Sequence, residues 1–282
     1  MLQLNLKDKT LYYLGTNKYQ NSLVSDRWPS HWEWVKDRPD LPTYYTYASL
    51  DELMVEGNKN TNINLILLES SAIIPNYVRW AQENANLFET IYTHNSSLLS
   101  LPNARWIPGG GCWIGTEFGG GELKVYDKTK SISFMSSGKA MCPLHVMRHT
   151  IAQYCQKYHP YINVFGMGGP FVKAADYLSD YRFSIILENH VDECYFTEKL
   201  LNCFATGTIP IYLGARKLPF NEDGIIRFNN SQEFLSALKL ATPEFYESKL
   251  KAVRENLELC KKFLCIEDYM WENYRNLIDE ST

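Results

Sequence analysis

Several segments that would point directly to a function are missing from this sequence of 282 residues. It contains no Asp-x-Asp, whose paired carboxylates commonly hold a divalent cation, and no GxGxxG fingerprint. The glycines of residues 166–169 have the wrong spacing for that fingerprint, so we expect a tight turn there. The opening MLQLNLKDKT is polar, and neither a signal peptide nor a membrane anchor is expected.

Charge and cysteine content argue against further classes of protein. A formal net charge of −4 gives no reason to expect nucleic acid or an anionic membrane as a partner. The seven cysteines are odd in number and scattered, which predicts reduced thiols in a cytosolic protein rather than a disulfide framework or a zinc site. With 45% hydrophobic residues, the chain is globular and long enough for two domains.

The most informative stretch lies between residues 181 and 215, where a strand, a polar turn, a helix and a second strand follow one another. Residues 183–187 are apolar without alternation, as in a parallel strand covered on both faces, and the run stops at a Glu-Asn pair. Apolar side chains then recur at helical spacing from Tyr195 until Gly207, and residues 209–213 form another buried-type strand. The stretch therefore predicts a βαβ crossover, which binds ligands beyond the carboxyl ends of its strands.

Two charged residues, Glu198 and Lys199, fall in the first turn or so of the predicted helix. Lys199 is a donor-only cation suited to a diphosphate, whereas Glu198 is an acceptor-only carboxylate suited to ribose or sugar hydroxyls. The alternative is an ordinary Glu-Lys pair on a solvated helix turn. Their place at the amino end of a crossover helix favours ligand binding, because phosphate groups are attracted there.

This stretch resembles the donor-binding motif of the α1,3-fucosyltransferase family, whose members are inverting glycosyltransferases of the GT-B type. The family pattern runs roughly Tyr-Lys-Phe, an apolar strand, Glu-Asn, eight residues and then Glu-Lys. Exostosin-like enzymes carry a related Glu-Lys segment, so the motif is more specific for glycosyltransferases than for fucose. The matching residues are Tyr181, Arg182 in place of the common Lys, Phe183, Glu188, Asn189, Tyr195, Thr197, Glu198 and Lys199.

The resemblance implies an α/β protein of the GT-B fold, with two Rossmann-like domains facing a cleft and a carboxyl-terminal helix that crosses back to the first domain. We expect an acceptor-binding domain over residues 1–128 and a nucleotide-sugar donor-binding domain over residues 129–282. Glycine clusters and a basic segment between residues 108 and 130 mark the expected hinge. The last helix, at about residues 266–279, is expected to pack on the first domain.

The resemblance also implies transfer of fucose from GDP-fucose to a hydroxyl of a glycan, with no bound cofactor and no required metal. Arg148 matches a family arginine that grips the donor phosphates, and Ser136 stands at the strand end that precedes it. The alternatives are another nucleotide-sugar donor on the same scaffold and a catalytically silent module that binds nucleotide sugar or glycan. The residues expected to bind the donor are Ser136, Arg148, Asn189, Tyr195, Glu198 and Lys199.

Inverting transfer also requires a base that removes the proton of the acceptor hydroxyl. Glu69 ends an apolar run, and it matches a glutamate that follows a strand in the family and is the proposed base there. A structural role for Glu69, with Glu83 or Glu117 as the base, stays open. His94 is a second candidate on the acceptor side.

Many eukaryotic members of the family are anchored in the Golgi, whereas this sequence predicts a soluble, cytoplasmic microbial or viral form. Its expected partners are a nucleotide sugar and a glycan acceptor, with no nucleic acid and no membrane span. Residues 17–43, rich in Trp, Pro, Asp and Arg, predict a long binding loop. In the first domain, the predicted strands are residues 11–14, 44–48, 64–69 and 89–93.

Overall fold

The computed structural model describes residues 1–9, 22–56 and 62–279. The chain divides into two compact units, one comprising Met1–Gly110 with Cys265–Thr282 and the other Gly111–Leu264. The first unit thus includes the last helix, as the resemblance implies. The predicted strand at residues 11–14 lies outside the described residues, and no described helix is long and apolar enough to cross a bilayer.

Strands and helices alternate along much of the described chain, as the sequence predicts for an α/β protein, and every described strand pair is parallel. The strands are β1 (Leu2–Lys7), β2 (Trp32–Val35), β3 (Thr43–Thr46), β4 (Ile63–Leu67), β5 (Thr90–Thr93), β6 (Ala104–Trp106), β7 (Lys130–Ser136), β8 (Ile162–Gly166), β9 (Tyr181–Leu187), β10 (Ile209–Leu213) and β11 (Ile226–Arg227). The α-helices are α1 (Leu50–Glu56), α2 (Pro75–Glu83), α3 (Pro143–Tyr158), α4 (Ala174–Leu178), α5 (Glu198–Ala205), α6 (Ser231–Leu240), α7 (Pro243–Ser248), α8 (Leu250–Cys260) and α9 (Ile266–Asp279).

The sheet of the first unit has the strand order β2-β1-β3-β4-β5-β6. Helix α9 contributes Met270 and Ile278 to the core that surrounds this sheet. The carboxylate of Glu267 on α9 is fully buried and accepts from the Trp34 indole at 3.0 Å and from the Leu23 backbone N–H at 2.8 Å. These contacts hold the last helix in the first unit.

Part of the predicted binding loop at residues 17–43 is a buried strand instead. Trp32 and Trp34 pair in parallel register with Leu2 and Leu4 of β1, and both indoles are 1% exposed. Their rings meet edge to face at 5.5 Å, an arrangement that aromatic quadrupoles favour. The tryptophans therefore belong to the core of this unit, and the prediction of a loop was wrong over β2.

The sheet of the second unit has the strand order β11-β10-β9-β7-β8, with β9 near its centre. Phe134 of β7 pairs with Ile185 of β9, which places Ser136 and Leu187 at the same level at the carboxyl edge. The predicted tight turn follows β8: Gly166 has φ 84°, and the Met167 N–H donates to the Ser136 carbonyl at 2.6 Å. A Cβ at Gly166 would lie 2.5 Å from that carbonyl, so the turn requires glycine.

Candidate active site

The carboxyl edge of β9 is organised by the buried carboxylate of Glu188. It accepts from the Thr197 N–H at 3.0 Å and the Thr197 hydroxyl at 2.8 Å, and the Lys199 ammonium lies 3.3 Å away. These bonds hold Thr197 in an extended conformation as the N-cap of α5. The helix consequently begins at Glu198, three residues later than the predicted start at Tyr195.

Lys199 lies between two carboxylates rather than on an open surface. Its Nζ is 2.9 Å from Thr197 Oγ1, 3.2 Å from Glu198 Oε1 and 3.3 Å from Glu188 Oε2. Burial by itself lowers the pKa of Lys199, but the charges of Glu198 and Glu188 outweigh it and raise that pKa above its ordinary value. The side chain is still 27% exposed, so the ammonium is a fixed cation that a ligand can reach.

Arg148 brings a second cation to this edge from α3. Its side chain is almost fully buried, and its Nη2 donates to the Ser137 hydroxyl at 2.8 Å. Burial lowers the pKa of Arg148, whereas Glu188 and Glu198 raise it, and a guanidinium stays charged in either case. Among the described protein groups, neither the buried Arg148 Nε–H nor the fully buried Ser136 hydroxyl has a hydrogen-bond partner.

The structure brings the predicted donor-side residues to one edge of the sheet but exposes them unequally. Asn189 directly follows Glu188, is 8% exposed, and its backbone carbonyl accepts from the Cys142 thiol at 3.3 Å. Tyr195 is 1% exposed and belongs to the core beneath the edge. Of the predicted residues, Glu198 and Lys199 have partly exposed side chains, whereas Ser136, Arg148 and Tyr195 are buried.

Two residues that shape this edge were not among the predicted site residues. Glu188 was part of the matching motif, and its place directly after a buried strand and nine residues before Thr197 was the available signal. His145 lies one helical turn before Arg148 on α3 and is buried, and helical spacing from Arg148 could have singled it out.

The predicted base, Glu69, lies in the first unit at the carboxyl edge of the other sheet. It follows β4 after one intervening residue, is half-buried, and its Oε1 accepts from the Ser70 N–H at 3.0 Å. The pKa of Tyr47 is raised, first by burial and then by the charges of Glu69 and Asp8, so both carboxylates lie near that phenol. The buried ring of His94 meets the Leu68 carbonyl at 3.0 Å through Nε2.

Metal-ligating side chains do not cluster in this molecule. Within residues 1–9, 22–56 and 62–279, no group of three or more His, Cys, Asp or Glu is arranged to hold a metal ion. All seven cysteines fall within these ranges and are free thiols, six of them buried.

Comparisons with known proteins agree on one family. Residues 125–277, more than half of the chain, match the model "Glycosyltransferase family 10 (fucosyltransferase) C-term". A solved α1,3-fucosyltransferase superposes with a TM-score of 0.55 at 15% identity, over 100% of this chain and 91% of that chain. An α1,3-fucosyltransferase with GDP-fucose superposes with a TM-score of 0.54 at 16% identity, over 93% of this chain and 90% of that chain.

A curated relative matches over a shorter segment. GDP-fucose protein O-fucosyltransferase 3 of Xenopus tropicalis is 38% identical over 68 residues, which are 22% of this chain and 14% of the relative. The chain therefore spans only a small part of that relative's length.

The chain has two parallel sheets flanked by helices, and it superposes on solved fucosyltransferases over nearly its whole length. These two observations define its class, which is the GT-B fold. The match over residues 125–277 then gives the family. This chain belongs to glycosyltransferase family 10, the fucosyltransferase family.

Proposed function

We propose that this chain transfers fucose from GDP-fucose to a hydroxyl of a glycan, with inversion at the anomeric carbon. The observation that carries the proposal is the guanidinium of Arg148, which is 4% exposed, donates to the Ser137 hydroxyl through Nη2, and has no hydrogen-bond partner for its Nε–H among the described protein groups. A buried donor without a partner costs about 1–3 kcal/mol, which a phosphate oxygen at this position would offset. Membership of the family, and a solved relative that holds GDP-fucose, support this donor.

The two cations have a defined task in this reaction. When the bond between the anomeric carbon and the phosphate oxygen breaks, the electron pair leaves with GDP, and negative charge grows on the diphosphate. Arg148 and Lys199 would stabilise that charge with charge-assisted bonds of about 1.5–3 kcal/mol each. Glu198, as an acceptor, would hold ribose or fucose hydroxyls. We propose that these side chains serve in place of a metal, which the lack of Asp-x-Asp supports.

The contribution of Arg148 can be tested with a variant that keeps its charge. In Arg148→Lys the bidentate fork is lost, so we expect GDP affinity to fall by about 10- to 100-fold in calorimetric titrations. Arg254→Lys, an exposed position on α8 of the same unit, is the matched control and should bind GDP like the wild type. Equal GDP affinity of Arg148→Lys and wild type would contradict the role of Arg148.

For the base we propose Glu69. The acceptor oxygen would form a bond to the anomeric carbon while its proton passes to the Glu69 carboxylate. Glu69→Gln keeps the shape of the side chain but cannot accept that proton, so the transfer rate should fall by about 100-fold or more while GDP affinity is unchanged. Glu83→Gln and Glu117→Gln, both at exposed positions, are the controls. Loss of transfer in either control, with Glu69→Gln active, would move the base to that residue.

A protein hydroxyl is the second candidate for the acceptor. The curated relative that matches over 68 residues is a protein O-fucosyltransferase by name. Supplying free oligosaccharides and folded protein acceptors side by side, with labelled GDP-fucose, decides between the two classes. A catalytically silent module would bind GDP yet label neither acceptor. The cytoplasmic location stays a prediction.

A further inference from the structure

His145 occupies the same turn of α3 as Arg148, three residues earlier, and its side chain is 4% exposed. Its Nδ1 lies 3.2 Å from the backbone N–H of Met141. An amide N–H can only donate, so Nδ1 is the acceptor and the proton of the neutral ring is on Nε2. The loop that leads from β7 into α3 thereby fixes the tautomer of the ring.

The ring is also neutral in its surroundings. Burial lowers the pKa of His145 to about 4, and neighbouring positive groups act in the same direction. The carboxylates that face this cluster, Glu188 and Glu198, act on Arg148 and Lys199. At pH 7 the ring therefore supplies a hydrogen-bond donor without adding another positive charge. The positive groups in question are Arg148, Lys199 and Lys139.

We propose that the Nε2–H of His145 donates to the diphosphate of the sugar donor beside Arg148, and that His145 is a further binding residue of this site. The proposal rests on the proposed function, because it needs a nucleoside diphosphate at this edge. A neutral hydrogen-bond donor suits this place. The surrounding cations already supply positive charge for the diphosphate, and another buried cation beside Arg148 and Lys199 would be repelled by both. The tautomer fixed by Met141 keeps the donor proton on the nitrogen opposite the loop.

Two near-isosteric variants separate this role from a merely structural one. In His145→Gln the amide nitrogen can reach the position of Nε2 and donate, whereas the acceptor at Nδ1 is lost. In His145→Asn the amide oxygen can replace Nδ1 and accept from Met141, whereas nothing remains at Nε2. We expect His145→Gln to bind GDP within about threefold of wild type and His145→Asn to bind it about tenfold more weakly. Guanosine, which lacks phosphate, should bind both variants alike.

The opposite order of affinities would overturn the proposal, because it would show that His145 only braces Met141. An equal loss for GDP and guanosine would overturn it too, since the effect would not depend on phosphate. The wild type is titrated first with GDP and UDP: if it binds neither, the proposed function fails and this proposal falls with it. If the wild type binds a diphosphate and both variants match it, this proposal alone fails.

A spectroscopic measurement keeps the test independent of how the variants fold. In wild-type protein labelled with 15N-histidine, long-range 1H–15N spectra identify the tautomer of each ring. We expect His145 to be the Nε2–H tautomer at pH 7, with an Nε2–H proton that shifts on addition of GDP but not of guanosine. A protonated ring, an Nδ1–H tautomer or no response to GDP would each overturn the assignment.

Discussion

At the scale of single residues, the ammonium of Lys199 compensates the fully buried carboxylate of Glu188, and we propose that it has a second task, which is to bind the diphosphate of the donor. Removing one partner of a buried ion pair leaves the other charge uncompensated, which costs about 3–5 kcal/mol. Lys199→Met should therefore lower the free energy of unfolding by about that amount and also weaken GDP binding. Urea unfolding and calorimetric titration measure the two effects separately.

The double variant Glu188→Gln/Lys199→Met separates the tasks. Glutamine can still accept from the Thr197 N–H, and the fully buried charge of Glu188 is gone, so most of the lost stability should return while GDP affinity stays low. The carboxylate of Glu198, which also pairs with Lys199, belongs to a side chain that is 21% exposed and keeps contact with solvent. Lys217→Met, at a side chain that is 82% exposed, is the control and should change stability by less than about 1 kcal/mol. Recovery of GDP affinity in the double variant would show that Lys199 acts only through the stability of the site.

At this scale, sequence reasoning grouped the predicted donor-side residues because they follow a recognisable motif. Arg148, Glu198 and Lys199 do lie at one edge of the second sheet. The motif could not show that the charge of Lys199 is balanced by the carboxylate of Glu188. That pairing depends on a hydrogen bond between Thr197 and Glu188, which are nine residues apart in the chain. The roles of the predicted residues stay predictions until the variants are measured.

At the scale of elements, Lys128 joins the ends of several segments of the second unit. Its ammonium lies 2.8 Å from the carbonyls of Ser179 and Thr206, 3.2 Å from the Leu178 carbonyl and 3.0 Å from the Thr208 hydroxyl. These acceptors belong to the end of α4, the C-cap of α5 and the residue just before β10. One side chain thus donates to backbone carbonyls at two junctions and to a side-chain hydroxyl at a third.

Lys128→Met would remove one donor from each of these carbonyls, and the Leu178 and Thr206 carbonyls would keep only the Thr208 hydroxyl and the Tyr126 N–H, respectively. We therefore expect the free energy of unfolding to fall by about 2–4 kcal/mol. Lys124→Met is the matched control: that side chain is 52% exposed and pairs with the exposed Glu122, so a change of less than about 1 kcal/mol is expected. Chemical denaturation of the two variants gives the comparison. Equal stabilities would mean that the Lys128 bonds contribute no more than a surface ion pair.

Element boundaries were predictable where local chemistry is strong. Proline suits the first position of a helix, and α3 and α7 begin at Pro143 and Pro243, the latter behind the Thr242 cap. Strand β1 was missed although Leu4 and Leu6 alternate with polar residues, which is the local pattern of a half-buried strand. Strand β2 was missed for a tertiary reason, because the burial of Trp32 and Trp34 depends on the partner strand β1 and on α9.

At the scale of the whole molecule, two parallel sheets and a family match over residues 125–277 fix the class, whereas the donor sugar and the acceptor are proposals. The residues proposed to bind the donor lie in the second unit, within the matched region. The first unit, which carries Glu69, lies mostly outside that region, and the sequence therefore says much less about the acceptor. A protein of this fold can be recognised from its donor motif before anything is known of what receives the sugar.

The most direct test of the central claim is a donor screen read by released nucleotide. Purified wild-type protein is incubated with GDP-fucose, GDP-mannose and a set of UDP-sugars, with and without glycan acceptors, and Glu69→Gln serves as the background. The proposed function predicts release of GDP from GDP-fucose, stimulated by a glycan acceptor, and negligible turnover of UDP-sugars. Clear turnover of a UDP-sugar, with no release of GDP from GDP-fucose, would contradict it.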